Sequence, residues 1–151
     1  HLCKMYTDLY GLKTIIFRYF NVFGEREPRK GNYATVIGTF LRQRGEGINL
    51  TIVGDGLQRR DFVHVSDIVN VNILAMNKNI DDNQYGKIYN VGLEKNISVL
   101  EIAESISNNY EFIPFREGEM EVTLSDSSRV KKVFGWNPEV DPIEWIKLQR
   151  D

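Results

Sequence analysis

Apolar positions along this 151-residue chain switch repeatedly between helical spacing and short β-type runs. Leu2, Met5, Leu9 and Tyr10 recur at helical spacing and predict a helix over residues 1–10, stopped by Gly11. Lys13–Val22 (KTIIFRYFNV) is β-branched and aromatic, with a centre too apolar for an exposed strand. It predicts a strand buried on both faces, as in a parallel sheet. Charges, a proline and two glycines make Gly24–Gly31 a loop. Ala34–Arg44 reads as a helix with Val36, Ile37, Phe40 and Leu41 on one side; Leu50–Val53 reads as a strand and Gly54-Asp55-Gly56 as a tight turn. Asp61–Val65 is a further strand, with Ser66 or Asp67 capping a helix that runs to about Met76. Lys87–Val91 is β-like again, and Ser98 with Glu101 forms a capping box ahead of Val99, Ile102, Ala103 and Ile106. Asp126–Phe134 predicts a helix ended by Gly135, and Asp141-Pro142 starts the last one. Strands alternate with helices throughout. The class is α/β.

Composition narrows the function classes. Hydrophobic residues at 42% and charged residues at 26% describe an ordinary globular domain, or part of a somewhat larger one. Cys3 is the single cysteine, so neither an intrachain disulfide nor a thiolate zinc cluster can form. A net charge of −2 with scattered basic residues gives no stripe for nucleic acid. No apolar run approaches the ~20 residues that span a bilayer. The chain opens on His1, already in helical pattern, which predicts a truncated start.

Several familiar chemistries are absent. The pairs Gly54/Gly56 and Gly45/Gly47 lack the third glycine of a dinucleotide-binding turn, and neither follows an N-terminal strand. No tyrosine is followed four residues later by lysine, and His1 and His64 stand alone, without metal-ligand spacing. No catalytic and no metal-binding residue is expected within the chain.

Three segments exceed what a generic fold requires. Arg18-Tyr19-Phe20-Asn21-Val22-Phe23-Gly24 ends the apolar strand, and ligands of open parallel sheets lie at the carboxyl ends of strands. Asn21 there can donate to and accept from a sugar or phosphate, or can cap its own turn. Gly54 to Asp67 (GDGLQRRDFVHVSD) sets Arg60 at the start of a strand, where a planar guanidinium matches phosphate oxygens. The plainer reading pairs Arg60 with Asp61 or Asp67 at the surface, and makes Asp67 a helix cap and His64 a packing residue. Pro114-Phe115-Arg116-Glu117-Gly118-Glu119 adds Arg116 on a loop. Two arginines and an amide form a candidate diphosphate clamp.

Taken together, the helix end Tyr-Gly-Leu-Lys, then RYFNVFG, YATVI, GDG…RRDFVHVSD, KIYNVG, FREGE and FGWNP resemble the extended short-chain dehydrogenase/reductases over nearly the whole chain. These are the NAD-dependent epimerase/dehydratases, and the UDP-hexose 4-epimerases are the most similar group. The resemblance implies that residues 1–151 are a C-terminal sugar-nucleotide-binding part, with strands near 13–22 and 87–92 belonging to a Rossmann-type parallel sheet. It implies that NAD is held mainly by the absent half, with Phe20 approaching the nicotinamide. Asn21 would contact the sugar or diphosphate, and Tyr33 and Ala34 would pack beside the hexose. Thr51 and Val53 would border the uracil, Arg60 and Arg116 would bind the diphosphate, and Glu119 would lie near the ribose. A cytoplasmic homodimer acting on a UDP-sugar is the implied setting. A 4,6-dehydratase or decarboxylase, and a non-catalytic sugar-nucleotide-binding domain, are the alternatives. Three positions depart from the family pattern: Glu25 replaces a proline, Glu119 a more frequent aspartate, and Thr123 a tyrosine found in some epimerases.

Overall fold

The computed structural model describes residues 1–31 and 33–149. Helix α1 (Leu2–Tyr10) ends at Gly11, whose φ of 67° turns its N–H back onto the Thr7 carbonyl. Strands β1 (Ile16–Tyr19) and β2 (Asn21–Phe23) follow, then α2 (Val36–Gly45) and β3 (Leu50–Val53). Next come β4 (Arg59–His64), α3 (Val65–Asn77) and β5 (Ile88–Val91). The chain closes with β6 (Asn96–Ser98), α4 (Val99–Ile106), β7 (Tyr110–Ile113), α5 (Ser128–Phe134) and α6 (Pro142–Leu148).

The strands form three small sheets: β1 parallel to β5, β3 parallel to β7, and β2–β4–β6 with β2–β4 parallel and β4–β6 antiparallel. The single strand expected over 13–22 is therefore two. Tyr19 lies opposite Val91, Phe20 still donates its N–H to the Val91 carbonyl (3.0 Å), and Asn21 lies opposite Phe62. One apolar run thus serves two sheets. Nor is it buried on both faces: Arg18 and Tyr19 are exposed, and among the described residues β1 is paired on one edge alone.

Two apolar clusters hold these layers. Phe23, Phe40, Ile52, Phe62, Ile102 and Trp145 join α2, α4 and α6 to β3 and β4. Val63, Tyr89, Val91, Phe134 and Trp136 pack α3 and α5 beneath β5. Burying each such side chain contributes roughly 1.5–3 kcal/mol, so the clusters dominate the fold. The capping box of α4 is present as its sequence predicts, with Ser98 and Glu101 each satisfying the other's N–H. The cap of α3 differs from expectation. His64, not Ser66 or Asp67, accepts the Ser66 N–H through Nδ1 (3.2 Å), while Asp67 is buried and accepts from Glu139 and Val140 N–H groups. Among the described residues no helix is long and apolar enough to cross a membrane.

Candidate functional site

The carboxyl end of β2, the start of β4, one edge of β3, the first turns of α2 and the loop carrying Arg116 surround a cleft of about 400 Å³. The walls contain Asn21 from β2, Tyr33 and Ala34 from the segment before α2, and Thr51 and Val53 from β3. Arg60 from β4, and Arg116 and Glu119 from the loop, close it. Phe20 is not in the wall; it sits at the β1–β2 crossing, where the chain changes sheets.

Strand alternation sorts the two adjacent arginines. Arg59 turns away from the cleft, donating to Asn96 Oδ1 (2.8 Å) and pairing with Glu101 (3.1 Å). Arg60 turns in. Its side chain is only 12% exposed, and Nη2 lies 2.5 Å from Glu119 Oε1, so neither Asp61 nor Asp67 is its partner. Arg116 makes no ion pair among the described residues. Two guanidiniums against one carboxylate leave this side of the cleft positive, which suits an anionic ligand.

Asn21 shows what its amide can offer. Its Nδ2 donates to the Asp61 carbonyl (3.0 Å) and to Thr123 Oγ1 (3.2 Å), and a carbonyl only accepts, so the amide orientation is fixed. Oδ1 remains without a protein donor among the described residues. An acceptor there suits a sugar hydroxyl and repels a phosphate oxygen.

Asp61, next to Arg60, is fully buried and binds backbone rather than ligand. It accepts N–H groups from Leu93 (2.7 Å), Glu94 (3.1 Å) and Ser125 (2.8 Å). The departures from the family pattern are tied down as well. Glu25 Oε1 accepts from Trp145 Nε1 (3.2 Å) and Oε2 lies 3.4 Å from His64 Nε2, so the loop is anchored at position 25 without a proline there. Thr123 Oγ1 accepts from Asp61 N–H (3.2 Å) as well as from Asn21. His64 packs against Phe23 and Trp145, ring centroids 5.1 and 5.6 Å away, as a packing residue should.

Gln58, Thr39, Phe40 and Val99 also line the cleft; the sequence marked Phe40 and Val99 only as apolar helix positions and gave none of the four a place in the site. Gln58 was visible only as a member of the GDG-to-RRD block. Among the described residues no group of three potential metal ligands assembles. The chain carries no glycine-rich turn of the kind that cradles a dinucleotide pyrophosphate.

Residues 1–92 match the model of the NAD dependent epimerase/dehydratase family. A putative UDP-glucose 4-epimerase of Methanocaldococcus jannaschii is 38% identical over 95% of this chain and 47% of its own length. A UDP-N-acetyl-alpha-D-glucosaminuronate decarboxylase of Bacillus cytotoxicus is 33% identical over 97% of the chain and 50% of its own length. The crystal structure of UDP-glucose 4-epimerase with UDP-glucose from Thermotoga maritima superposes with a TM-score of 0.86 at 30% identity, covering 97% of this chain and 49% of that one. The chain thus spans about half the length of the relatives it matches. With its parallel strand pairs, its β2 end motif and its cleft, the chain belongs to the NAD-dependent epimerase/dehydratase family.

Proposed function

We propose that this chain forms the nucleotide-sugar-binding part of a UDP-hexose 4-epimerase. One observation carries the reading: Asn21, Thr51, Val53, Arg60, Arg116 and Glu119, far apart in sequence, line a single cleft. Arg60 and Arg116 hold the diphosphate, Thr51 and Val53 border the uracil, and Glu119 lies toward the ribose. Asn21 Oδ1 accepts a sugar hydroxyl, beside Tyr33 and Ala34. For Arg60 to engage phosphate, Glu119 must share or release its guanidinium, so the resting ion pair holds Arg60 in place. NAD supplies reversible hydride acceptance at the sugar's C4 and is held, with the Tyr-x-x-x-Lys pair, by sequence outside this chain. Alone, the chain binds without turning over. A family decarboxylase is the second reading, supported by the 33% identity to the Bacillus cytotoxicus enzyme. The proposed setting is cytoplasmic and homodimeric; α1 supports the latter by leaving Leu2, Met5, Leu9 and Tyr10 exposed.

Calorimetric titration of the chain with UDP-glucose and with GDP-mannose, repeated on Arg60→Ala, tests the assignment. UDP-glucose should bind more tightly, and the substitution should weaken it at least tenfold, because a charge-assisted bond contributes about 1.5–3 kcal/mol. A GDP preference, or an affinity indifferent to Arg60, counts against it.

A further inference from the structure

The loop between β2 and α2 buries a carboxyl group in surroundings that favour its neutral form. Glu27 Oε1 is closed off from solvent and has no hydrogen-bond partner among the described residues. Oε2 accepts from the Thr35 hydroxyl (2.5 Å), whose oxygen in turn accepts the Gly38 N–H (2.9 Å) and so caps α2. The carboxyl packs on bare backbone in the first turn of that helix. A Cβ at Gly38 would come within 3.1 Å of Glu27 Cδ and 3.0 Å of the Pro28 carbonyl oxygen. On its own loop Arg29 and Glu25 act on Glu27 in opposite senses. From α2 it receives the Thr35 hydroxyl and, among the described residues, no N–H. The groups that α6 and β4 present, Trp145 Nε1 and His64 Nε2, engage Glu25 instead. Burial is the largest influence and holds the Glu27 carboxyl above its ordinary 4.5. Ionised in place, it would keep one charged oxygen buried without a donor, which costs more than burying the neutral group.

Thr35 belongs to the cleft as well as to the helix cap. With Tyr33, Ala34 and Val36 it forms one wall. Two bonds tie Thr35 to the loop: its N–H donates to the Pro28 carbonyl (3.2 Å) and its hydroxyl to Glu27. The loop itself is held elsewhere, at Glu25 by Trp145 and His64, and at the Arg29 carbonyl by Arg42 Nε (3.0 Å). The Glu27 side chain is therefore free to swing into solvent while its loop stays anchored, which makes the Glu27–Thr35 contact a two-position element.

We propose that Glu27 is a proton-held latch on the cleft wall: neutral, it fixes Thr35 and the wall formed by residues 33–36; ionised, it turns outward and releases them. A ligand that packs on the fixed wall binds the protonated chain better. It must then take up a proton wherever the free chain has already lost one, so affinity falls as pH rises. The inference rests on the nucleotide-sugar reading only for its choice of ligand.

Calorimetric titration of the wild-type chain and of Glu27→Gln with UDP-glucose tests the latch, run from about pH 5 to about pH 8 in paired buffers of different ionisation enthalpy. The diphosphate of a nucleotide-sugar is fully ionised across this range, so the ligand contributes no proton of its own. Wild-type affinity should fall about threefold or more as pH rises, since one linked proton changes it by up to about tenfold per pH unit. At the alkaline end binding should take up a proton, seen as a heat that scales with the buffer's ionisation enthalpy. Glu27→Gln should lose both the pH dependence and the uptake. Parallel pH profiles in the two chains would place the proton on another group, His64 included, and overturn the proposal. NMR of the ligand-free chain gives a readout that needs no nucleotide. The Thr35 and Gly38 amide signals should titrate together with a midpoint above 4.5, and should hold still in Glu27→Gln. Signals that hold still in the wild type overturn the latch. A wild-type chain that binds no UDP-glucose at any pH refutes the function reading instead, and the amide titration then decides the latch.

Discussion

Removing the Asp61 carboxylate should destabilise the protein by about 3–5 kcal/mol, far more than loss of a surface ion pair. The carboxylate accepts three backbone N–H groups at 2.7, 3.1 and 2.8 Å. Hydrogen bonds to a charged group contribute roughly 1.5–3 kcal/mol each, so three independent bonds would give about 4.5–9 kcal/mol. Leu93 and Glu94 are only half-buried, and water can rehydrate their amides in Asp61→Ala; the Ser125 amide, on a residue 6% exposed, has no such relief. That discounts the sum to about 3–5 kcal/mol, the Ser125 bond in full and part of the other two. Domain stabilities run about 5–15 kcal/mol, so the variant should sit near the edge of folding.

Urea unfolding followed by the fluorescence of Trp136 and Trp145, which are buried in the two separate clusters, measures this directly. With a slope of about 2 kcal/mol per molar urea, the midpoint should fall by roughly 2 M. Asp61→Asn keeps one acceptor oxygen and should lose about half as much. Had Asp61 served as the surface partner of Arg60, its removal would cost only ~0–1 kcal/mol. A midpoint shift below about 0.5 M in Asp61→Ala therefore refutes the reasoning.

Ser98→Ala removes the hydroxyl that accepts Glu101 N–H (3.1 Å) and should lower stability by about 1 kcal/mol, read as a drop of a few degrees in Tm. Glu101 titrates below its ordinary 4.5 because the Ser98 N–H and then the Ser98 hydroxyl bond its carboxylate. That contribution is present above pH 4.5 and is lost as pH falls through the depressed value, so Glu101→Gln should flatten stability against pH in the acid range. Glu27 is shifted the other way, upward from 4.5, chiefly by burial and against the Thr35 hydroxyl bond. Its folded form holds a proton that the unfolded chain has already released, so stability falls as pH rises through that window. Glu27→Gln should be at least as stable as wild type at pH 7 by thermal melting and should lose this dependence; a clear loss of stability at pH 7 would contradict the assignment. Gly54→Ala should cost about 1–2 kcal/mol and loosen the Arg116 loop, because Gly54 has a φ of 66° and the Phe115 ring occupies the space a Cβ would need. Weaker UDP-glucose binding alongside a lower urea midpoint is the expected pair of results.

Much of the architecture was legible because local signals and tertiary packing agree. Leu50–Val53 has the predicted bounds, Gly11 and Gly135 end their helices in the left-handed region, and the Ser98/Glu101 box is formed. The misses have a common cause, which is information that lies in the partner rather than the segment. Nothing in KTIIFRYFNV says that Ile16–Tyr19 pairs with β5 and that Asn21 and Val22 pair with β4. Asn96–Ser98 and Tyr110–Ile113 are strands because Arg59–Asp61 and Leu50–Val53 lie beside them, not because of any run of their own. Asp67 looked like a cap by position, yet Glu139 and Val140, more than seventy residues later, needed its oxygens. At the site, arginines and an amide stand out by residue type, whereas Gln58 acquires meaning only from the cleft that it lines.

Strand β4 explains why a cleft built from such scattered segments can hold its shape. Within RRDFVH, successive side chains serve different neighbours. Arg59 anchors β6 and α4 through Asn96 and Glu101, and Arg60 enters the cleft. Asp61 gathers the amides of residues 93, 94 and 125, Phe62 enters the first apolar cluster, and Val63 enters the second. His64 then caps α3. Arg60 is thus flanked on both sides by residues that cannot move without breaking a buried network or a core contact. Its remaining freedom is in the side chain, and Glu119 takes much of that. Under the proposed reading, a ligand phosphate meeting this guanidinium would displace one carboxylate contact, and preorganisation of that kind lowers the ordering cost of binding. The same coupling means that substitutions in either cluster, remote from the cleft, should weaken nucleotide affinity in step with their effect on the β4 backbone.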